Sequence, residues 1–341
     1  MKLFNFPFLI QKEILDHLSI NHIFFLSLCS KRTKNFIIHT QKYQFQKIEF
    51  VEYYIDDLRM NVQMKLVSKD DPDTVFKFFE YPENFATKMG CSHWVEEITL
   101  DELGIDFFRH MTNQTDIHPM YRRGMWQSSL EAFHNHLYDS LGQQTKFRVC
   151  SAFSLGSFLP VLQNIQSLEI VGSDFIETKI EETLCSTTSL DYLSLMTYDR
   201  HYIPESSKKP GVLATKIMKY FNGRHAFLME PRIKTTDVIQ FLNTWRTGEK
   251  FQNLEVLSFN TLGSTFQIPD IRRSVEFKEV GTEVEYSFVR RFRYFGPPQF
   301  NSHLYMVRQS DGHVASVMLT DSGIFMGVWN LTEKKFLEKF Q

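Results

Sequence analysis

The chain has 341 residues, 43% of them hydrophobic, enough to bury a sizeable core across two or three structural units. A formal net charge of −2 gives it no global drive toward nucleic acid or an acidic membrane surface, so neither is expected as a partner. Aromatic residues make up 15% and include 33 Phe, which carry large apolar area without a polar handle and therefore belong mostly to the core.

The four cysteines, Cys29, Cys91, Cys150 and Cys185, are scattered, and none stands in a C-x-x-C spacing with another. This argues against a zinc knuckle and for a reducing, intracellular compartment, cytoplasmic or nuclear. The apolar stretch Met1 to Ile10 is interrupted by Asn5 and Pro7, ends at Gln11, Lys12 and Glu13, and lacks a small-residue cleavage site, so it is not read as a signal peptide. No run approaches the ~18 apolar residues of a transmembrane helix. The sequons at Asn113 to Thr115 and Asn330 to Thr332 are chance matches in an intracellular chain.

Residues 3 to 42 read as three short helices. Ile10, Ile14, Leu15 and Leu18 fall on one helical face, and Pro7 precedes it where a helix start tolerates proline. Ser19 and Asn21 break that helix and cap a second one carrying Ile23, Leu26 and Ser27; Ser30 caps a third with Phe36 and Ile37. Gln46 to Val67 is rich in β-branched and aromatic residues and predicts two strands, followed by a loop at Ser68 to Thr74.

A strand pattern then recurs: Val95, Ile98 and Leu100; Leu168 and Ile170; Leu190, Leu193 and Leu195; Leu254, Leu257 and Phe259. Helical stripes lie between the strands. One comprises Trp126, Leu130, Phe133, Leu137 and Leu141, stopped by Gly142; another Ile176, Ile180 and Leu184; a third Val238, Phe241, Leu242 and Trp245, closed by Gly248. Weaker strands are expected at Phe147 to Cys150 and His225 to Met229. Strand and helix alternating at roughly 20 to 30 residues predict an irregular leucine-rich-repeat-like α/β solenoid, with insertions at Thr112–Gly124 and Asp199–Val212; an ordinary α/β domain with parallel strands is the alternative. From Arg272 the helical period is lost. Strands are expected at Val275 to Val280, Val284 to Tyr294, Leu304 to Arg308, Val314 to Leu319 and Ile324 to Trp329, with turns at Asp311-Gly312 and Ser322-Gly323. They predict an antiparallel meander covering a sheet edge. The expected fold class is thus mixed α/β, with a helical unit at 1–45, an α/β unit at 46–265 and an antiparallel β segment at 266–341.

Phe6-Pro7, Ile10, Ile14-Leu15 and Leu18, followed by Ile23, Leu26, Ser27, Leu28, Cys29, Ser30, Lys31 and Arg32, resemble the F-box without a gap over about thirty residues. The departure is Thr33, where many F-boxes carry Trp. Further along, Trp245 and Gly248 with Leu254, Glu255, Leu257 and Phe259 look like a block of the nematode type-2 F-box-associated domain; Arg308, Asp311, Gly312, Val314 and Ala315, with a closing Val328-Trp329, look like its tail. The resemblance implies a non-catalytic substrate receptor of a Skp–cullin–F-box ubiquitin ligase. Its F-box would hold the Skp adaptor, and through it the cullin scaffold, by Pro7, Ile10, Ile14, Leu15 and Leu18 or their immediate support. The same residues also suit the internal core of a three-helix unit. A unit of ~40 residues buries too little surface to be stable alone, and a partner surface answers that need. A scaffold that does not direct ubiquitination, and a repeat-type interaction module, remain alternatives.

The protein target is expected on the C-terminal domain. In each repeat strand the residues alternating with the core pair are expected to face outward: Glu97 and Thr99, Ser167 and Glu169, Tyr192 and Ser194, Val256 and Ser258. A solvated sheet face is the plainer reading of the same residues. Arg290, Arg291 and Arg293 form a second candidate surface, suited to a phosphorylated target or to edge-strand solubility. No enzymatic reading takes hold. His134 and His136, two apart on a helix, point to nearly opposite faces and do not share a metal. Cys91 and His93 have no identifiable third partner. Phosphate-binding, nucleophile-elbow and metalloprotease motifs are absent. No cofactor or metal is implied.

Overall fold

The structure is a computed structural model. It describes residues 3–56, 61–68, 74–81, 94–100, 103–109, 117–122, 125–142, 144–153, 162–172, 184, 190–197, 217, 219–229, 233–261, 265–288 and 299–341. The chain forms two compact units: Met1–Phe153 with Ser157–Ile165, and Gln166–Gln341 with Ser154–Gly156.

The first unit opens with helices α1 (Phe8–Asp16), α2 (Ile20–Leu28), α3 (Lys31–Thr40) and the single turn α4 (Lys42–Phe45). The expected starts of α1 and α3 hold, whereas at α2 Ser19 takes the N-cap position without a side-chain capping bond and Asn21 lies inside the helix. The Pro7 carbonyl accepts from Ile10 N and Gln11 N, and the Ser30 hydroxyl accepts from Thr33 N at 3.1 Å. Strands β1 (Ile48–Asp56), β2 (Asn61–Ser68), β3 (Thr74–Tyr81), β4 (Trp94–Leu100), β5 (Leu103–Arg109), β6 (Ile117–Arg122) and β7 (Lys146–Phe153) line up as β7-β1-β2-β3-β6-β5-β4. β1 runs parallel to β7 and antiparallel to β2, so the unit's sheet is mixed. The period-2 pattern of β1 and β2 has its physical counterpart in the alternation of burial: Val51, Tyr53 and Ile55, paired with Leu66, Met64 and Val62, are all buried. Helix α5 (Trp126–Leu141), ended by Gly142 at φ 89°, supplies the buried Leu130, Phe133 and Leu137.

Two expectations for this region fail. Val95 to Leu100 is not a repeat strand followed by its helix; β4 pairs antiparallel with β5, the next strand in the chain. Thr112–Gly124 is not a plain insertion, because it carries β6, paired with β3 and β5. β3 and β5 were not foreseen.

In the second unit, β8 (Ile165–Gly172), β9 (Tyr192–Thr197), β10 (His225–Met229) and β11 (Val256–Asn260) are parallel neighbours in chain order. Helix α6 (Thr235–Thr247) ends at Gly248 in the left-handed conformation, and its Phe241 meets Phe259 edge-on at 5.4 Å. The short helix α7 (Ile268–Ser274) was not foreseen. The meander follows as expected in kind: β12 (Lys278–Ser287), β13 (Gln299–Val307), β14 (His313–Leu319) and β15 (Gly323–Thr332), with β15 antiparallel to β11. The strands expected at Val275 to Val280 and from Val284 are one strand, β12, carrying an irregularity between Glu279 and Val284. Helix α8 (Glu333–Phe340) packs Phe336 against Val280, Val284, Tyr305 and Val314. The composition is mixed α/β, and no closed or solenoid sheet forms among the described residues. The stripe Ile176, Ile180 and Leu184 lies, apart from Leu184, outside the described residues, as does Asp199–Val212.

The motif residues of the second unit come together. Arg308 is almost fully buried. It donates from Nε and Nη2 to the Asp311 carboxylate at 2.7–3.1 Å and from Nη1 to the Gln252 carbonyl at 3.0 Å, and its guanidinium lies 5.2 Å from the Trp245 ring. Gly248 abuts Ser310 so closely that an added Cβ would meet its hydroxyl at 2.2 Å. The same turn therefore fastens α6, the 248–252 segment and the β13–β14 connection.

Candidate adaptor-binding surface

The core of the helical segment consists of Leu15, Ile23, Phe24, Leu28, Ile37 and Phe45. Its outer side is apolar too. Phe6, Phe8, Leu9 and Ile10 are exposed, Leu9 at 75%. Water contact over four adjacent large side chains is costly, at roughly 1.5–3 kcal/mol for each that a partner would fully bury. The strip is held in place from behind. Phe4 and Phe8 meet the Phe36 ring edge-on at 5.6 and 6.1 Å, Arg32 lies 4.1 Å from the Phe4 ring, and Gln11 Nε2 donates to the Phe6 carbonyl.

Of the residues expected to meet the adaptor, Pro7 and Ile10 are exposed, Ile14 and Leu18 are half-buried, and Leu15 is 0% exposed. Leu15 is therefore placed to support the surface from the core, while Phe6, Phe8 and Leu9 stand in the open strip beside Ile10. Sequence reasoning missed those three, although the run Phe8-Leu9-Ile10 exceeds what one buried helical stripe needs and was a legible signal. Thr33, where a Trp is common, is buried and hydrogen-bonds the Ser30 hydroxyl at 2.8 Å, so this site is filled by a cap rather than a ring.

The helical segment is fastened to α5. Phe24 meets Phe133 at 6.3 Å and His136 edge-on at 5.9 Å, and Lys34 pairs with Asp139 at 3.0 Å. The Ser27 hydroxyl donates to the Phe24 carbonyl at 2.6 Å, so at the 2.8 Å contact His136 Nε2–H donates to Ser27 Oγ. Two residues earlier, on the far side of α5, the Tyr53 hydroxyl donates to His134 Nδ1 at 3.1 Å, and His134 Nε2–H donates to the Gln163 carbonyl at 2.9 Å. Burial pushes both histidines down to about 4; Lys34 pushes His136 the same way. Each ring is neutral and spoken for, and the two face different partners. Among the described residues no His, Cys, Asp and Glu cluster suits a metal; Cys91 and His93 lie outside them.

The residues expected to read a target occupy different environments. Ser167, Tyr192 and Val256 share one cross-strand row with His225, and Glu169, Ser194 and Ser258 share the next with Phe227. They do share a face, as the alternation requires. The face is not open: all six are buried, and Tyr192 stacks on Phe227 at 5.4 Å, which in turn meets Phe288 at 5.6 Å. Outward orientation is thereby corrected; parallel strands are commonly covered on both faces. Glu97 and Thr99 are on β4, with side chains outside the described residues, and Arg290, Arg291 and Arg293 also lie outside them.

No helix among the described residues is long and apolar enough to cross a membrane. No curated protein and no solved structure matches the chain. The F-box domain family matches residues 3–45, the segment that builds α1 to α4 and carries the exposed strip, so the helical N-terminal segment of this chain is an F-box domain.

Proposed function

We propose that this protein is the substrate-recognition subunit of a Skp–cullin–F-box ubiquitin ligase. The observation that carries the reading is the exposed apolar strip Phe6, Phe8, Leu9 and Ile10, displayed by a segment matching the F-box. F-box domains bind the Skp adaptor. In this reading Pro7, Ile14 and Leu18 join that strip, Ile10 included, at or just behind the contact, with Leu15 beneath them. The remainder of the chain binds a protein target, and the cullin is reached only through the adaptor. The protein performs no chemistry itself; it raises the effective concentration of a target lysine near a loaded conjugating enzyme. An intracellular location follows from this role.

The clustering of Trp245, Gly248, Arg308 and Asp311 supports relating the second unit to the type-2 F-box-associated domain, and the chain-ordered parallel strands β8 to β11 support a leucine-rich-repeat-like ancestry for it. The test is co-purification of the full chain with the Skp adaptor, beside the double variant Leu9→Asp, Ile10→Asp. Both positions are exposed, so the variant folds, and two carboxylates in an apolar contact abolish binding. Failure of the folded wild-type chain to bind would remove the reading. Cullin recruitment and target turnover then separate a ligase receptor from a scaffold.

A further inference from the structure

The terminal strand of the second unit's sheet, β12, has β13 on one side and no strand on the other among the described residues. Its inner edge is firmly held: Val284 to Ser287 pair in unbroken register with Ser302 to Gln299. One face is covered as well. Val284 lies in the cluster around Phe336 of α8, and Tyr286 meets Trp329 edge-on at 5.0 Å. Before that stretch the Thr282 hydroxyl donates to the Phe340 carbonyl at 2.6 Å, which holds the bulge against α8. The other face is open: Glu283, Glu285 and Ser287, with Asn301 on β13, are exposed. An edge strand points every second backbone N–H and C=O away from its sheet, so β12 presents a fixed row of donors and acceptors to whatever lies beyond it.

Charge singles out what this edge accepts. Around it Glu276 pairs with Arg246, Glu279 with Arg272 and Glu333 with Lys278. Glu283 and Glu285 flank the buried Val284, are both exposed, and have no ion pair among the described residues. A second copy of this chain is a poor occupant. Pairing two β12 edges brings these carboxylates together, and like charges across a ladder are destabilising. The bulge between Glu279 and Val284 acts to the same end, because it limits the flush stretch to Val284–Ser287. Both features keep identical edges apart and leave the edge open to a short strand of opposite charge.

We propose that the outer edge of β12 is where this protein holds its target, by adding a short extended segment of the target as a further strand whose lysine or arginine side chains lie beside Glu283 and Glu285. Main-chain hydrogen bonds to β12 hold the segment, and the two carboxylates select its charge. The inference rests on the substrate-receptor reading and gives the target a chemistry: an exposed, basic, strand-forming stretch.

The experiment uses the full chain and a fluorescent peptide of alternating lysine and valine, beside a glutamate–valine peptide and a lysine–valine peptide interrupted by proline. Binding is followed by fluorescence polarisation and by hydrogen exchange in β12. The lysine–valine peptide binds and slows exchange in β12; the proline peptide, which cannot complete the ladder, and the glutamate peptide do not. The variant Glu283→Gln, Glu285→Gln changes only exposed positions. It binds the lysine–valine peptide about three- to tenfold more weakly at low salt, the worth of two exposed ion pairs, and the difference shrinks at high salt. Unchanged exchange in β12, equal binding of the glutamate or proline peptide, or undiminished binding by the variant each overturns the proposal. So does concentration-dependent protection of β12 without peptide, which makes a second copy the occupant. The peptide assay does not involve the Skp adaptor: a chain that binds the adaptor but leaves β12 unprotected removes this proposal alone, whereas a chain that fails to bind the adaptor removes the receptor reading.

Discussion

Lowering the pH from 7 to 5 is expected to destabilise the first unit by about 4 kcal/mol through two buried histidines. His134 and His136 hold folded values of about 4, while the unfolded rings titrate near 6.5. Below about 6.5 the unfolded chain takes up protons that the folded chain refuses. The stabilisation from neutral burial is therefore complete above that pH, falls as pH drops toward 4, and changes no further below it. Working the two-state expression between pH 7 and 5 gives about 2 kcal/mol for each ring. Burial sets the sign: it lowers both rings, Lys34 adds to it at His136, and the Gln163 carbonyl at His134 and Asp139 at His136 only partly offset it. Urea unfolding at the two pH values, with hydrogen exchange on peptides from α2, α5 and β1 to localise the loss, measures the effect. The non-titrating double variant His134→Gln, His136→Gln supplies the reference slope. If wild type loses no more stability than this variant over the interval, the two rings are not held neutral by burial and the reasoning is refuted.

The second unit should respond in a different window. Hydrogen bonding to Arg308 holds the Asp311 carboxyl well below the usual carboxylate range, so its contribution is intact above pH ~4 and is lost only as pH falls further. Asp311→Ala leaves the buried Arg308 guanidinium without its carboxylate and, because Asp311 is itself 36% exposed and Arg308 keeps the Gln252 carbonyl, should cost about 1.5–3 kcal/mol in the unfolding of this unit, read by denaturant titration. Gly327→Ala should destabilise the same unit by more than ~1 kcal/mol. An added Cβ would lie 2.3 Å from the Tyr286 ring and displace the hydroxyl that donates to the Glu255 and Val328 carbonyls, a loss visible as a lower melting temperature. Leu15→Ala should cost about 2–5 kcal/mol in the F-box, seen as faster exchange in α1 and α2, with adaptor affinity lowered only in proportion to the unfolded fraction.

Local chemistry made much of this protein legible. The F-box helices, their Ser30 cap, the α5 stripe ended by Gly142, the α6 stripe ended by Gly248 and the turn at Asp311-Gly312 all depend on residues close in sequence, where periodicity and capping act directly. Period-2 alternation likewise shows that Ser167, Glu169, Tyr192, Ser194, Val256 and Ser258 share a face, because side chains two apart on a strand must. What alternation does not contain is the content of the space above that face; the Phe227–Phe288 contact joins residues far apart in the chain, and it turned an expected open surface into a buried one. Strand partners are equally non-local. Val95 to Leu100 has the pattern of a repeat strand, but pairing with β5 made it half of an antiparallel hairpin. At the F-box the sequence alone marked Ile10, Ile14, Leu15 and Leu18 as one apolar face. Only tertiary packing divided that face, burying Leu15 completely and leaving Ile10 in the open strip beside Leu9. Periodicity sets the direction of a side chain from its own helix, whereas burial depends on which other elements arrive against it.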